Sequence, residues 1–210
     1  MKLYDYPASQ NAWKARTLLK YLGIAYESVP VAIFRGESHS PEFLARNPAG
    51  AVPVLEPSPG IFIAESNAIL CYLAEGTPYF PQDRLRRAKI LQWLFFEQSY
   101  VEPTIGSLRY WRLTGKYESR KAEAPARERM ASGALQALER ELAGRPYLVG
   151  DCYSIADIAV FAYSHRAEDA GLDLAPYPAF RRWVRHIENE KGPLPPVIPY
   201  SVDPDSCHEL

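Results

Sequence analysis

The sequence predicts a protein of two parts, an α/β domain followed by an all-α domain. Strand-like and helix-like patterns alternate through the first part, and no strand pattern returns after the segment Thr77-Pro78-Tyr79-Phe80-Pro81. A Pro-rich segment of this kind is typical of a linker. We therefore place the first domain at residues 1–77 and the second at residues 84–210.

The order of elements predicts the fold of the first domain. Hydrophobic periodicity and turn residues give a strand at 2–6, a helix at 10–22, a strand at 25–31, a short helix from residue 40, strands at 52–55 and 61–64, and a helix at 66–75. The turn Pro57-Ser58-Pro59-Gly60 joins the last two strands, which should therefore pair antiparallel. With a right-handed crossover in its first part, this β-α-β-α-β-β-α order is a thioredoxin-like arrangement.

The second domain reads as helices throughout. One apolar stripe runs through residues 84–113, with a kink or break expected at Glu102-Pro103, and further helices are predicted at 126–142, 154–170 and 178–190. Ser154 and Asp157 form a capping box, so Asp157→Ala should cost about 0.5–2 kcal/mol of stability. From Gly192 on, several prolines leave no periodicity, and we expect this tail to lie extended along the surface.

Charge, hydropathy and cysteine content argue against several classes of function. The formal net charge of −1 and the pI of about 6.4 give no electrostatic reason to bind nucleic acid or an anionic membrane. No stretch approaches the roughly 20 apolar residues that span a bilayer, and the N-terminus lacks the apolar run of a secretory signal. The three cysteines and four histidines indicate neither a disulfide framework nor a metal site, so a reducing cytoplasm fits best.

Two short segments of the first domain carry groups suited to a peptide-like ligand. A cis bond at Val52-Pro53 would turn the backbone N–H and C=O of Val52 outward, where an extended peptide could pair; the alternative is a trans proline in an ordinary turn. Glu65 and Ser66 lie where a strand meets a helix. The Ser66 hydroxyl and the first helical N–H groups suit a carboxylate, and Glu65 suits an ammonium group; alternatively, Ser66 is simply the N-cap.

Over nearly its whole length the sequence resembles the cytosolic glutathione transferase family. The residues that carry the resemblance are Tyr6-Pro7-Ala8-Ser9-Gln10-Asn11, Ser40-Pro41-Glu42-Phe43-Leu44, Asn47-Pro48-Ala49-Gly50-Ala51-Val52-Pro53-Val54-Leu55, Glu65-Ser66-Asn67-Ala68-Ile69 and Ser154-Ile155-Ala156-Asp157. The resemblance implies that glutathione is a co-substrate, with Val52 and Pro53 at its cysteinyl backbone and Glu65 and Ser66 at its γ-glutamyl head. It also implies a homodimer.

At the glycyl end of glutathione the sequence departs from the family pattern. Several classes place Lys, His or Gln near two positions that Ser38 and Ala51 occupy in this chain. His39 or Arg35 could bind the glycyl carboxylate instead, or both could be solvated loop residues.

The thiol of glutathione needs a hydrogen-bond donor to lower its pKa. Ser9 occupies the position that the serine-type and cysteine-type classes use, although it could equally be the N-cap of the first helix. Asn11 in the same turn could assist or replace it, and Tyr4 and Tyr6 are rivals, because some classes use a tyrosine from this strand. No cysteine lies in the turn, which disfavours mixed-disulfide chemistry by the protein itself.

The resemblance places an apolar electrophile between the two domains, against the long helix. An aromatic cluster with one cation suits an acceptor that develops negative charge, and core packing is the alternative for each candidate; the candidates are Tyr100, Arg109, Tyr110 and Trp111. The expected activity is attack of the glutathione thiolate on the electrophile. The alternatives are peroxide or disulfide reduction, isomerisation or dehalogenation at the same site, and a non-catalytic binding module of the kind found in translation-factor and stress-regulator subunits.

Overall fold

A computed structural model describes residues 1–208, and the chain divides into two compact units. The first unit contains Met1–Glu75 and the chain from Pro195 onward, and the second contains Gly76–Leu194. No helix within residues 1–208 is both long and apolar enough to cross a membrane.

A four-stranded mixed sheet, ordered β2-β1-β3-β4, forms the centre of the first unit. Strand β1 (Lys2–Asp5) runs parallel to β2 (Glu27–Pro30) and antiparallel to β3 (Val54–Ser58), which in turn pairs antiparallel with β4 (Ile61–Ile63). The helices are α1 (Gln10–Tyr21), α2 (Pro41–Leu44) and α3 (Ser66–Ala74). The predicted β-α-β-α-β-β-α order and the antiparallel final pair are confirmed.

Both faces of this sheet are covered by apolar side chains. Along β1, Leu3 and Tyr4 point to opposite faces because successive strand residues alternate. Tyr4 joins Phe43 and Val54 in one buried cluster, whereas on the other side α1 packs against α3. This packing brings the start of α1 close to the start of α3.

Within the first unit, the tail from Pro195 packs against the part of the chain from Met1 to Glu75. The indole Nε1 of Trp13 donates to the carbonyl of Pro195 at 2.8 Å, and the Tyr6 and Tyr200 rings stack with centroids 6.4 Å apart. Arg35 Nε donates to Asp205 Oδ2 at 2.5 Å. The sequence places residues 84–210 in the helical domain, whereas the contacts group the chain from Pro195 with the first unit, because a Pro-rich segment has no periodicity that reveals which surface it covers.

The second unit is helical, and the part of the chain from 76 to 194 contains no strand. Its helices are α4 (Arg84–Phe96), α5 (Ser107–Leu113), α6 (Ala124–Glu141), α7 (Ile155–Ser164) and α8 (Pro178–Glu190). The predicted helix at 154–170 ends at Ser164, and a short 3₁₀ helix, Ala167–Ala170, follows.

The expected break at Glu102-Pro103 takes the form of a π-helix, Glu97–Gly106, which joins α4 to α5. Pro103 has no N–H and its ring would clash with a carbonyl of the preceding turn in a regular α-helix, whereas a wider turn accommodates it. Thr104 Oγ1 donates to the carbonyls of Tyr100 and Val101, which satisfies oxygens that the irregular turn exposes. The helix therefore continues through Pro103 with a wider turn instead of breaking.

Helix α7 is anchored through the capping box that the sequence predicted. Asp157 accepts hydrogen bonds from the backbone of Ser154 and Leu148, at 3.0 and 2.9 Å, from the Ser154 hydroxyl at 3.1 Å, and from the Trp183 indole at 3.1 Å. Burial raises the pKa of Asp157 to about 6, although these four hydrogen bonds act to lower it. One carboxyl group thus joins α7, α8 and the loop before α7.

Candidate functional site

The loop before β3 is held in place by Asn47. Its side chain is buried; Nδ2 donates to the carbonyl of Ala51 at 2.8 Å, and Oδ1 accepts from the N–H of Ala49 at 3.0 Å. The Val52–Pro53 peptide bond that follows is cis. Because β3 begins only at Val54, the main-chain N–H and C=O of Val52 lie before the sheet ladder, in a half-buried position. This is the arrangement that pairing with an extended peptide requires.

His39 lies against the same loop. Gly50 has a φ of +64°, and a Cβ built on it would lie 3.0 Å from Nε2 of His39, so glycine makes room for the imidazole. His39 Nδ1 is 3.2 Å from the hydroxyl of Ser38, whose side chain is buried. The exposed His39 therefore borders the Val52 loop, and its imidazole lies within hydrogen-bond distance of the buried Ser38 hydroxyl.

Arg35, the other cation considered for the glycyl carboxylate, is held elsewhere. Its guanidinium pairs with Asp205 on the tail. Of the two alternatives to the missing family residues, the structure brings only His39 to the loop that contains Val52.

Helix α3 begins at Ser66, as the sequence predicts, so Ser66 is not the residue that caps it. Glu65, rather than Ser66, occupies the N-cap position, and it does so without a side-chain cap. Within residues 1–208, Glu65 is also the one non-glycine residue with positive φ, 66°. A backbone of this kind costs about 1–3 kcal/mol and is found mostly at functional sites. Ser66 is therefore the first helical residue, and its hydroxyl serves another purpose than capping.

Ser66 belongs to a small polar cluster with two residues of α1, Asn11 and Lys14. Lys14 Nζ lies 2.8 Å from Asn11 Oδ1 and 3.3 Å from Ser66 Oγ, and the Ser66 hydroxyl lies 3.1 Å from Asn11 Oδ1. Lys14 is completely buried and Ser66 is 5% exposed. The cluster brings a buried cation to the N-terminus of α3, where a carboxylate would also be attracted by the helix.

Sequence reasoning missed Lys14. A lysine one turn into a helix normally reads as solvated, because lysine is among the residues least often buried. Its spacing of three residues from Asn11 was the available signal, since residues three apart share one helix face.

The side chains considered for activating the thiol of glutathione lie in different surroundings. Ser9 is the N-cap of α1, and its Oγ accepts from the N–H of Ala12 at 3.2 Å. Its capping role is thereby confirmed, although accepting this bond leaves its hydroxyl hydrogen for another partner. Asn11, two residues on, is half-buried and shares hydrogen bonds with Ser66. Both polar candidates therefore lie in the first turn of α1.

Neither Tyr4 of β1 nor Tyr6, which follows the strand, is arranged to activate a thiol. The Tyr4 hydroxyl donates to Glu56 at 3.0 Å, and burial, followed by this hydrogen bond, raises the pKa of Tyr4. Tyr6 is buried between the rings of Phe34 and Tyr200, at centroid distances of 5.6 and 6.4 Å. Both are packing residues.

The four electrophile candidates do not form one exposed cluster. Arg109 is buried and pairs with Asp169 at 3.1 Å, so it is a structural residue and not a cation facing a substrate. Trp111 is also buried, with the guanidinium of Arg127 5.0 Å from its ring. Tyr110 is half-buried under Lys116, and Tyr100 is 51% exposed and stacks against Phe96. Of the four candidates, only the two tyrosines keep exposed surface, whereas Arg109 and Trp111 are buried.

Within the part of the chain that the structure describes, no group of three or more His, Cys, Asp or Glu side chains could hold a metal ion. The first unit presents polar groups that can bind the charged ends and the backbone of an amino acid or peptide: backbone groups at Val52, a helix N-terminus with Ser66, an exposed carboxylate at Glu65 and an imidazole at His39.

Comparison with known proteins identifies the class. Residues 1–75 match the model of the glutathione S-transferase N-terminal domain, and residues 122–186 match that of the glutathione S-transferase C-terminal domain. A glutathione S-transferase from Pseudomonas fluorescens Pf-5 is 40% identical, with a TM-score of 0.89 over 94% of this chain and 98% of that one. The chain belongs to the glutathione S-transferase family, and its α/β thioredoxin-like and all-α parts are those of that fold.

Other relatives differ in their described activity. The disulfide-bond oxidoreductase YfcG of Escherichia coli K12 is 30% identical over 89% of each chain. Elongation factor 1-gamma of Artemia salina is 34% identical over 90% of this chain, which spans 44% of that protein's length. A glutathione transferase family member from Pseudomonas fluorescens Pf-5, solved with two glutathione molecules bound, is 27% identical with a TM-score of 0.78, covering 92% of this chain and 89% of that one.

Proposed function

We propose that the chain is a glutathione transferase, which binds glutathione in its first unit and activates the thiol for attack on an apolar electrophile. One observation carries this proposal: the N-terminus of α3 has no side-chain cap of its own, and Ser66, Lys14 and the exposed Glu65 surround it. The γ-glutamyl head offers the matching charges: a carboxylate for the helix N–H groups and for the Ser66 hydroxyl, which would turn from Asn11 Oδ1 to donate to it, and an ammonium group for Glu65.

The remaining parts of glutathione follow from the same loop geometry. The cysteinyl backbone pairs with the N–H and C=O of Val52 beside Pro53, as a strand would. The glycyl carboxylate lies toward His39, which borders Gly50 and is exposed. The thiol then faces the first turn of α1, where Ser9 and Asn11 are the polar side chains that can donate a hydrogen bond.

Calorimetric titration with glutathione, paired with turnover of an aryl halide, tests this proposal. We expect saturable binding and a conjugate that forms only with both substrates present. Ser66→Ala should weaken binding, whereas Ser40→Ala, which removes the N-cap of α2, should not. Absence of binding by the native chain at millimolar glutathione would exclude the proposal and favour a non-catalytic module.

A second candidate activity is glutathione-dependent reduction of disulfides, supported by the relationship to YfcG. The first turn of α1 contains Ser9 and Asn11 but no cysteine, so both electrons would come from glutathione. Two glutathione molecules would reduce one disulfide to two thiols and leave one glutathione disulfide, without a disulfide to the protein. Assay of a small organic disulfide and of a peroxide against the aryl halide decides between reductase and transferase.

We also propose that the chain forms a homodimer. Large apolar side chains are exposed on each unit: Ile61 at 59% and Tyr72 at 50% on the first, and Leu85 at 68% and Phe95 at 70% on the second. Exposed apolar surface of this extent commonly marks a protein interface. Analytical ultracentrifugation should give twice the mass of one chain, and Phe95→Ser should shift it toward the monomer; a native monomer would exclude the dimer.

The setting that we propose is a reducing cytoplasm, with detoxification of electrophiles as the role. What supports the proposal is that Cys71, Cys152 and Cys207 are not joined by a disulfide within residues 1–208.

A further inference from the structure

The buried ammonium of Lys14 fixes which way the amide of Asn11 faces. An ammonium group only donates hydrogen bonds, and the group 2.8 Å from it must be an acceptor. The amide oxygen of Asn11 is therefore the atom that faces Lys14, and the nearby Ser66 hydroxyl donates to the same oxygen at 3.1 Å. The amide nitrogen, with its two N–H donors, must point away from both.

This orientation matters because Asn11 lies in the turn that the thiol of glutathione would face. With its oxygen inward, Asn11 presents N–H donors, which stabilise a thiolate. With its amide reversed, it would present an oxygen, which repels a thiolate. A side chain that prevents reversal thus decides whether Asn11 can lower the thiol pKa.

We propose that Lys14 is a positioning residue for thiol activation: it acts through Asn11, by holding the amide with its N–H groups toward the thiol of bound glutathione. The inference rests on the proposed function and adds to it a residue outside the direct contacts. Lys14 is suited to the role because it is completely buried and is held at two points, Asn11 Oδ1 and Ser66 Oγ. Arg16, the next cation on α1, pairs instead with Asp5 at 2.6 Å.

A matched pair of variants separates this role from a direct effect of the charge. Lys14→Gln and Lys14→Met are both uncharged and of similar length, but only glutamine can donate to the Asn11 oxygen. The measurement is the pKa of enzyme-bound glutathione, from the thiolate absorbance as a function of pH. Binding of S-methylglutathione and thermal unfolding of each variant show whether the site and the fold remain intact.

We expect Lys14→Met to raise the bound thiol pKa by about one unit, a tenfold smaller thiolate fraction below the pKa, and Lys14→Gln to keep it close to the native value. In the Asn11→Ala background, Lys14→Met should add no further shift, since the residue through which it acts is gone. Asn11→Asp, which keeps an acceptor for Lys14 and loses the N–H donors, should raise the pKa as Asn11→Ala does.

Three results would overturn the inference. If both Lys14 variants raise the thiol pKa equally, the charge of Lys14 acts on the thiol directly. If Lys14→Met raises the thiol pKa as much in the Asn11→Ala background as in the native chain, Lys14 does not act through Asn11. If Lys14→Met binds S-methylglutathione and leaves the thiol pKa unchanged, Lys14 has no part in activation. Failure of the native chain to bind glutathione is a different result, because it removes the proposed function together with the inference.

Discussion

The N-termini of α7 and α3 are built in opposite ways. At α7, Ser154 and Asp157 satisfy the first N–H groups from within the chain, and Asp157 also binds Leu148 and Trp183. At α3, no side chain caps the helix, Glu65 adopts a positive φ, and a buried lysine stands nearby. One helix start is closed by the protein's own side chains, and the other has no side-chain cap and is where we propose that the γ-glutamyl carboxylate binds.

Two similar sequence patterns thus form a capped helix start at α7 and an uncapped one at α3, where we propose a binding role. Both junctions place a serine and an acidic residue close together, but their order differs. In Ser154-Ile155-Ala156-Asp157 the acid follows the serine by three residues and can reach back; in Glu65-Ser66 it precedes the serine and cannot. The variants below test this division, beginning with the largest effect.

Asp157→Ala should destabilise the fold by about 3–5 kcal/mol, because two backbone N–H groups and the Trp183 indole would lose a buried acceptor. This exceeds the loss of about 0.5–2 kcal/mol expected for a cap alone. Urea unfolding measures it, with the exposed Asp151→Ala as the control. A loss of glutathione binding at unchanged stability would show that the closed end of α7 also serves the ligand.

The other end of α7 gives a test by pH. His165 Nδ1 lies 2.6 Å from the carbonyl of Phe161 and the two rings stack 4.3 Å apart. Burial lowers the pKa of His165 from 6.5 to about 4, so between these values the unfolded chain binds a proton that the folded chain does not.

The free energy of unfolding should therefore fall by about 2 kcal/mol as the pH drops from 6.5 to about 4. This loss is smaller than the full pKa shift would give, because the side chain of His165 is only half-buried. His165→Asn, which keeps a donor for the Phe161 carbonyl, should remove this part of the acid loss. Equal acid sensitivity of the variant and the native chain would assign the loss to other groups.

Ser66→Ala should mainly weaken glutathione affinity, whereas Asp157→Ala should mainly lower stability. We expect a 10- to 100-fold weaker glutathione affinity, the range for a hydrogen bond to a charged group of about 1.5–3 kcal/mol, with little change in stability. Ser40→Ala is the control, since Ser40 caps α2 by accepting from Phe43 at 3.2 Å; it should cost stability and spare affinity. Were Ser66→Ala to lower stability as much as Ser40→Ala, the open end of α3 would be an ordinary cap.

Ser9→Ala should give the smallest effect, a loss of about 1 kcal/mol of stability for the cap of α1. Because Asn11 supplies donors in the same turn, the bound thiol pKa should move by less than about half a unit, against about one unit for Asn11→Ala. Thiolate absorbance of bound glutathione measures both. A larger shift for Ser9→Ala would reverse the ranking of the two donors.

The local patterns of the sequence predicted most of the fold. Periodicity gave the element order, and the Pro57–Gly60 turn gave the antiparallel final pair, because both signals depend on neighbouring residues. The capping box at Ser154 was visible for the same reason. Predicted boundaries differed most where packing decides them, as at residue 164, where α7 ends earlier than its pattern suggested.

The candidate site was less accessible from sequence, because its key contacts join distant segments. Lys14 and Ser66 are 52 residues apart, and only the packing of α1 on α3 brings them together. Arg109 looked like a substrate-facing cation because nothing in its own helix shows the pairing with Asp169, 60 residues later. The resemblance to a family supplied the place of the ligand, but not the groups that support it.

The tail from Pro195 has a consequence for the order in which the protein is made. It supplies the acceptor for the Trp13 indole and the partner of Arg35, yet ribosomes synthesise it after every helix of the second unit. The sheet-containing unit thus remains unfinished until the residues from Pro195 emerge, although Met1–Glu75 of the same unit is made before the second unit. Contacts over such sequence separations form slowly, so completion of this unit should follow the helices during biosynthesis.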